Sequence, residues 1–298
     1  MSSLYNYLCH VCGEENVLKD EPLSAHTTFK IGGNAKFFVK VKSREKLLKL
    51  ISALNFLQQK YFIIGGGSNI LANSNGYDGV VIKLMMNEIV YNSGFVYADA
   101  GAMLSSLIWF CQTSNLTGFE WAAGIPATVG GAIYMNAGCH GHEIAENTVM
   151  VDVLENGEIK SLTAMDLDFS YRESVFKNKR KTAIILGAYF YLKREAPEKI
   201  AENVNLSLEK RKNLPKAPSA GSVFKKPSAD FFVGKEIEAL GLKGLTVGGA
   251  QISPEHAGFI VNNGEATSAD VHELIKLIKE KIKAEKNIDL ETEIIKLE

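Results

Sequence analysis

The stretch IIGGGSNIL, residues 63–71, places three consecutive glycines directly after an apolar, β-rich run. Gly65, Gly66 and Gly67 can adopt positive φ and let backbone N–H groups approach a ligand closely. A phosphate suits such a loop, yet neither familiar phosphate framework fits. The P-loop ends in Gly-Lys-Ser/Thr, whereas Ser68 and Asn69 follow the glycines here. The dinucleotide fingerprint spaces its glycines as G-x-G-x-x-G ahead of a helix, and GGGSNILANSNG does not. A tight strand-to-turn corner explains the same residues equally well. Both readings stay open on this loop by itself.

Working outward, the chain of 298 residues is long enough for two domains or one large one with a cleft. Its 46% hydrophobic and 22% charged residues describe an ordinary globular protein. Lys and Arg number 33 against 34 Asp and Glu, so no domain-wide basic excess exists for neutralising a nucleic-acid backbone. The start, MSSLYNYLCHVCGEEN, has neither the basic nor the long apolar region of a signal peptide, and no run is long enough to span a bilayer. Cys9 and Cys12 have zinc-ribbon spacing, but Cys111 and Cys139 are not spaced as a second ligand pair. No metal site is expected. Four reduced thiols in a cytoplasmic protein are the simpler reading.

Residues 28–41 read as a strand entered through a Gly-Gly turn, and 43–60 as a helix capped by Ser43 with Leu47, Leu48, Ile51, Leu54 and Leu57 on its apolar face. The strands YFII and GVVIKL complete a β-α-β opening. FVYADAG is a further strand, and 103–115 a helix. Residues 122–138, AAGIPATVGGAIYMNAG, are too glycine-rich for a regular helix and too apolar for an exposed loop. They are expected to form a buried, turn-rich segment or the wall of a site for an apolar ring. VMVDVLENGEIKSL is a hairpin turning at Asn156-Gly157, and 182–193 a central strand. Composition shifts near residue 194, which sets a domain boundary there. A helix capped by Thr267 and Asp270 buries Val271, Leu274, Ile275, Ile278 and Ile282, and 290–296 closes the chain as a strand.

Four stretches are candidates for chemistry. The glycine loop and the 122–138 segment together offer N–H donors and an apolar slot, suiting a pyrophosphate joined to a flat ring. In SYRES, residues 170–174, Arg172 is either a clamp for a carboxylate or phosphate or an ordinary surface arginine. In PSAGSVFKKP, residues 218–227, Ser222 lacks the G-x-S-x-G frame of a hydrolase elbow, which leaves capping or proton donation. Lys225 and Lys226 either hold a diphosphate or solvate the loop. Glu291 and Glu293 share one face of the last strand, and nothing local distinguishes Glu293.

Read in order, TTFKIGGNA, GGGSNIL, AAGIPATVGGAIYMNAG, SYRES and PSAGSVFKKP, followed by HAGFIVN, resemble the UDP-N-acetylenolpyruvoylglucosamine reductase family from about residue 27 to LETEI near the C-terminus. The resemblance implies an α+β protein: an N-terminal segment (1–26), a two-lobed FAD-binding domain of the vanillyl-alcohol-oxidase/p-cresol-methylhydroxylase type (27–194), and an α/β substrate-binding domain (195–298). It implies non-covalent FAD held by Gly65, Gly66, Gly67, Ser68, Asn69, Ile125, Gly130 and Gly131, with NADPH as co-substrate. Catalytic roles are implied for Arg172, Ser222 and Glu293, and substrate binding for Arg211 and Lys225. Ala127-Thr128 stands where Gly-Ser is commoner in the family. LGAYFYLKREAPEK passes directly into the next helix, so the chain resembles the shorter branch, which lacks a tyrosine-bearing loop.

The implied reaction is reduction of the enolpyruvyl ether of UDP-N-acetylglucosamine to UDP-N-acetylmuramate, a step of peptidoglycan precursor synthesis. A cytoplasmic monomer is expected, with no nucleic-acid partner and no membrane insertion. The alternative is another flavin-dependent oxidase of the same superfamily, acting on an alcohol or sugar. Such enzymes often tether FAD through His or Cys, and Cys139 in NAGCHGHE keeps that alternative open.

Overall fold

The computed structural model describes residues 2–298. Its contacts divide the chain into two compact units, neither of them one continuous segment. The first comprises Met1–Leu18, Phe37–Gly66 and Val80–Lys212, and the second Lys19–Lys36, Gly67–Gly79 and Asn213–Glu298.

In the first unit the helix Arg44–Phe56 starts where the Ser43 hydroxyl accepts from the Lys46 N–H at 3.3 Å, capping a donor the helix cannot satisfy itself. Its buried face is Leu47, Leu50, Ile51 and Leu54. Leu57 lies beyond the last turn and is exposed, while Leu50 takes the core position, a correction to the expected stripe. The strand Tyr61–Ile64 runs parallel to Tyr77–Leu84, the β-α-β arrangement expected, within a sheet ordered Val17–Pro22, Asn34–Val41, Tyr77–Leu84, Tyr61–Ile64. A second, antiparallel sheet has the order Glu158–Thr163, Thr148–Glu155, Ile184–Tyr191, Phe95–Asp99, Ile89–Asn92. Its hairpin turns at Asn156 (φ 54°) and Gly157 (φ 81°), the left-handed pair that a type I′ turn needs. One continuous core holds Val39, Val41 and Leu50 from the first lobe together with Val96, Val151 and Leu186 from the second.

A part-buried polar network also ties those lobes. Arg44 Nη1 donates to Asp152 Oδ2 at 3.2 Å, and Nη2 donates to the Tyr97 hydroxyl. Tyr97 in turn donates to Asp99 Oδ1 at 2.8 Å, and Ser161 Oγ donates to Asp152 Oδ1 at 2.7 Å. The Tyr97 ring occupies the space beside Gly187, so any side chain at 187 would displace it. Burial, followed by the Asp99 contact, pushes the Tyr97 hydroxyl well above its ordinary pKa.

The 122–138 segment departs from expectation. It contains a two-turn helix, Val129–Met135, begun by the Thr128 side chain accepting from the Gly131 N–H and ended by Asn136 in the left-handed region. A hydroxyl cap and close packing outweigh the low helix propensity of two glycines.

The second unit is built on an antiparallel sheet ordered Ser219–Ser222, Phe259–Asn262, Ala250–Ile252, Thr246–Val247. Helix Ser268–Lys286 covers it and buries Val271, Leu274, Ile275, Ile278 and Ile282, the stripe read from the sequence. Burying each such side chain stabilises by roughly 1.5–3 kcal/mol. The closing strand is shorter than expected. Only Ile295–Leu297 is regular, parallel to Ile70–Ala72, because residues 291–293 instead bond to 223–225.

All four cysteines are unpaired thiols, and no cluster of metal-binding side chains occurs among the described residues. Burial pushes the Cys12 thiol up to about 11 and the Cys111 thiol to about 12, so both behave as small apolar side chains at neutral pH. No helix among the described residues is long and apolar enough to cross a membrane.

The Thr267 cap is reciprocal: its hydroxyl accepts from the Asp270 N–H at 3.1 Å while Asp270 accepts from the Thr267 N–H at 2.8 Å. Thr267→Ala is expected to lower unfolding stability by about 1 kcal/mol, read as a lower urea midpoint at unchanged slope. An unchanged midpoint would show that water replaces the cap.

Candidate functional site

The glycine loop runs across the boundary between the two units, with Gly65 and Gly66 in the first and Gly67, Ser68 and Asn69 in the second. In the first unit, a Cβ on Gly65 would lie 2.6 Å from Thr128 Oγ1, and one on Gly66 would lie 2.6 Å from the Pro126 carbonyl oxygen. The backbone of the loop therefore touches the backbone of the 124–131 segment, which only glycine permits. In the second unit Gly67 has φ 66°, and its carbonyl accepts from the Thr28 N–H at 3.1 Å. The strand-to-turn reading accounts for the glycines through packing. Tight packing demands the glycines, and the packing leaves donors uncommitted. Among the described residues, no hydrogen bond within the chain uses the N–H of Gly65, Gly66, Gly67, Ser68 or Asn69. Gly65 and Gly66 in the first unit, and Gly67, Ser68 and Asn69 in the second, each offer amide donors of the kind a pyrophosphate takes. The residues present fit FAD on that observation.

Gly130 and Gly131 contribute differently. The Gly130 N–H donates to the Ala100 carbonyl at 2.9 Å and the Gly131 N–H to Thr128 Oγ1 at 3.2 Å. A Cβ on Gly130 would lie 2.8 Å from that of Ala100, whereas one on Gly131 would approach only Thr128 Oγ1, at 3.4 Å. Gly131 leaves room, and Gly130 is needed for packing. Ile125, half-buried, lies against the core of the same unit.

Arg172 belongs to the first unit. It sits at a corner where Ser170 and Glu173 exchange backbone hydrogen bonds of 3.2 and 2.9 Å, and its own backbone is left-handed (φ 58°). Its Nη2 donates to the Gly138 carbonyl at 2.6 Å, and its guanidinium lies 5.0 Å from the centre of the Tyr171 ring. Lys177 Nζ donates to the Arg172 carbonyl at 2.7 Å and to Glu173 Oε1 at 3.0 Å. Arg211, at the end of helix Pro197–Arg211, is in this unit too, and its side chain passes about 3.2 Å from where a Gly124 Cβ would be. Burial raises the Cys139 thiol pKa, while Arg211, Arg172 and Lys210 oppose it; burial and then Lys210 and Arg211 lower that of His140. Both predicted arginines therefore act on one neighbourhood, which suits an anionic ligand. Cys139 Sγ is directed at the Trp121 carbonyl, 3.1 Å away.

Ser222, Lys225 and Glu293 lie together in the second unit. Ser222 ends its strand opposite Phe259, next to Gly221 at φ 77°. Residues 223–225 then pair with 291–293: Glu293 N–H donates to the Val223 carbonyl at 2.8 Å, and Lys225 N–H to the Glu291 carbonyl at 2.9 Å. Lys225 Nζ lies 3.1 Å from Glu291 Oε2. Asn69 joins them, its Nδ2 donating to the Glu293 carbonyl at 3.1 Å, while its own carbonyl accepts from Ile295 N–H. Thr28 Oγ1 donates to the Ser219 carbonyl at 2.7 Å. The motifs TTFKIGG, SNIL, PSAGSVFKKP and LETEI, far apart in sequence, thus form one cluster. In the first unit, sequence reasoning missed Thr128, Asn136 and Ser174, whose side chains hold the 124–138 and 170–174 backbones; a small polar residue inside each motif was the signal.

Residues 35–163 match the family described as FAD binding domain, and 212–297 match UDP-N-acetylenolpyruvoylglucosamine reductase, C-terminal domain. A UDP-N-acetylenolpyruvoylglucosamine reductase of Fervidobacterium nodosum is 40% identical over 297 residues, covering 99% of this chain and 94% of that one. The protein of the same name from Thermotoga maritima is 43% identical over 277 residues, covering 92% and 96%. Among solved structures, the UDP-N-acetylenolpyruvylglucosamine reductase of Thermus caldophilus aligns with a TM-score of 0.80 at 33% identity over 95% of this chain and 98% of that one. A grass pollen allergen with glucose dehydrogenase activity aligns at 13% identity over 65% of this chain with a TM-score of 0.52, a likeness of fold alone. The α+β class and an FAD-binding domain are thereby shown, and the oxidase alternative is not retained. The chain belongs to the UDP-N-acetylenolpyruvoylglucosamine reductase family.

Proposed function

We infer that the protein is an FAD-dependent oxidoreductase that reduces the enolpyruvyl ether of UDP-N-acetylglucosamine to UDP-N-acetylmuramate with NADPH. The observation that carries this reading is the family likeness over nearly the whole chain, with both the FAD-binding and the C-terminal parts matched. The uncommitted amides of residues 65–69 hold the pyrophosphate of FAD, with Ile125, Gly130 and Gly131 on the side of the rest of the cofactor. The domain reading takes 27–194 as the FAD-binding domain and 195–298 as the substrate domain, whereas the compact units differ from it in that the helix Pro197–Arg211 packs with the first unit and Lys19–Lys36 and Gly67–Gly79 with the second. Bound FAD supplies the hydride relay between NADPH and the enolpyruvyl ether.

The chain's own residues handle the charge and the proton. Hydride addition at the CH₂ carbon of the enolpyruvyl group moves an electron pair toward the adjacent carbon and its carboxylate. The Arg172 guanidinium, planar and permanently charged, holds that carboxylate as its charge grows. Glu293 assists at the same group. Ser222 Oγ then donates its proton to the adjacent carbon. Arg211 and Lys225 contribute to substrate binding. The reading also takes the protein to be a cytoplasmic monomer, since a UDP-activated substrate and NADPH are intracellular metabolites and one chain supplies every assigned residue. Its product feeds peptidoglycan, and with it cell shape and division.

Three measurements test this reading. The purified protein is expected to be yellow, to release all its flavin on acid precipitation, and to bleach with NADPH under anaerobic conditions. A yellow pellet, or colour unchanged by NADPH, overturns the assignment. Arg172→Lys should lose nearly as much turnover as Arg172→Ala, because the ammonium cannot reproduce the planar fork; near-wild-type turnover in the lysine variant would reduce Arg172 to a positional charge.

The third separates Ser222 from the rest of the site. NADPH oxidation needs no proton from this serine, so Ser222→Ala should bleach at close to the wild-type rate. Reoxidation by the enolpyruvyl substrate should slow by at least the roughly 10²–10⁴-fold typical of a lost general acid, and Ser222→Cys should recover part of it. Stopped-flow absorbance follows both halves, and equal slowing of the two would assign the serine to pocket shape only.

A further inference from the structure

Two motifs that the sequence presents 34 residues apart, YMNAG and SYRES, are locked together inside the first unit. Asn136 is fully buried and left-handed (φ 42°), a conformation that Asn tolerates better than most residues. Its Nδ2 donates to the Ser170 carbonyl at 2.9 Å and to Glu143 Oε2 at 2.8 Å, and its Oδ1 accepts from the Ala145 N–H at 3.3 Å. Ser174, also buried, donates from Oγ to the Tyr134 carbonyl at 2.7 Å. The turn carrying Arg172 is thus clamped at both ends, at Ser170 and at Ser174, to the last turn of the helix Val129–Met135. Arg172 itself closes the arrangement through Gly138 O.

We propose that Asn136 is a positioning residue for Arg172: it fixes the height and direction of the Ser170–Glu173 turn, with Ser174 as the second clamp. The proposal rests on the reading of Arg172 as the partner of the substrate carboxylate. The physical argument is one of geometry. A left-handed arginine on a two-residue corner has no regular secondary structure to hold its backbone, so the placement of its guanidinium depends on the carbonyls that anchor the corner as well as on its own contacts to the Gly138 carbonyl and the Tyr171 ring. A buried side chain with three of its hydrogen bonds made in three directions is a rigid anchor. The same helix carries Gly131 at its start and Asn136 at its end, so the glycine-rich segment sets both the wall beside the cofactor and the seat of the arginine.

The test uses the holoenzyme and a double-mutant cycle. Asn136→Ala is expected to leave bleaching by NADPH near wild type and to slow the enolpyruvyl half-reaction by about 10²-fold, the usual cost of a misplaced group. It should lower kcat and kcat/KM together. In the Arg172→Ala background, Asn136→Ala should add no further slowing, because the residue it positions is gone. Calorimetric titration with UDP-N-acetylmuramate should follow the same order, weakened in each single variant and no weaker in the double one. Ser174→Ala is expected to behave alike, and it carries the whole test if Asn136→Ala does not fold. Further slowing in the Arg172→Ala background, or equal slowing of both half-reactions, would overturn the proposal and leave Asn136 and Ser174 as supports of the fold. A slow Arg172→Ala beside unaffected Asn136→Ala and Ser174→Ala would overturn this inference only. A wild-type rate in Arg172→Ala would overturn the arginine assignment and this inference with it.

Discussion

The contact between the backbone at Gly65 and Gly66 and that at Pro126–Thr128 is the constraint around which the first unit is arranged. Two main chains meet there at a separation that excludes any Cβ, and Thr128 stands at the centre. Its hydroxyl accepts from Gly131 N–H and starts the helix Val129–Met135, while its backbone bridges Met103. Close packing of backbone leaves polar groups unsatisfied unless a ligand meets them, and the Gly65 and Gly66 amides beside this contact have no acceptor within the chain.

The consequence passes along the helix to its other end. Asn136 terminates it in a left-handed conformation and bonds two separate segments, residues 143–145 and the corner that carries Arg172. Arg172 is itself left-handed, a conformation costing about 1–2 kcal/mol for a residue with a Cβ. That cost is offset by the paired backbone bonds of Ser170 and Glu173 and by Lys177 on the Arg172 carbonyl. Strain at one residue is held by a dense set of hydrogen bonds around it, the pattern seen where a side chain must point in one direction.

In the second unit the order is reversed: backbone pairing gathers the side chains. Ser222 lies at the end of a strand, and the 223–225 and 291–293 segments exchange main-chain hydrogen bonds just beyond it. Glu293 is placed beside that strand end by this pairing and by the Asn69 bond to its carbonyl. Nothing in LETEI distinguishes Glu293 from Glu291, and the resemblance to the reductase family, not local pattern, singled it out. The expected strand 290–296 failed for the same reason. Long-range pairing diverted its first half to a different partner, and only Ile295–Leu297 kept the parallel ladder.

Periodicity and capping determined the elements whose energetics are local. Ser43 and Thr267 start their helices, Val271 to Ile282 form a buried stripe at helical spacing, and Asn156-Gly157 turns a hairpin, because propensity, hydrogen-bond capacity and positive φ are properties of the residues themselves. Ordered motifs were enough to point to the family and to Arg172, Ser222 and Glu293 as candidates. Tertiary structure decided what depends on contacts distant in sequence. It formed a helix where glycine content argued against one, put Leu50 rather than Leu57 in the core, and joined Arg44 to Asp152 and Tyr97. It also made Asn136 and Ser174 the anchors of the arginine corner. Each of these follows from a neighbour more than thirty residues away along the chain or from a backbone approach that no window of sequence contains.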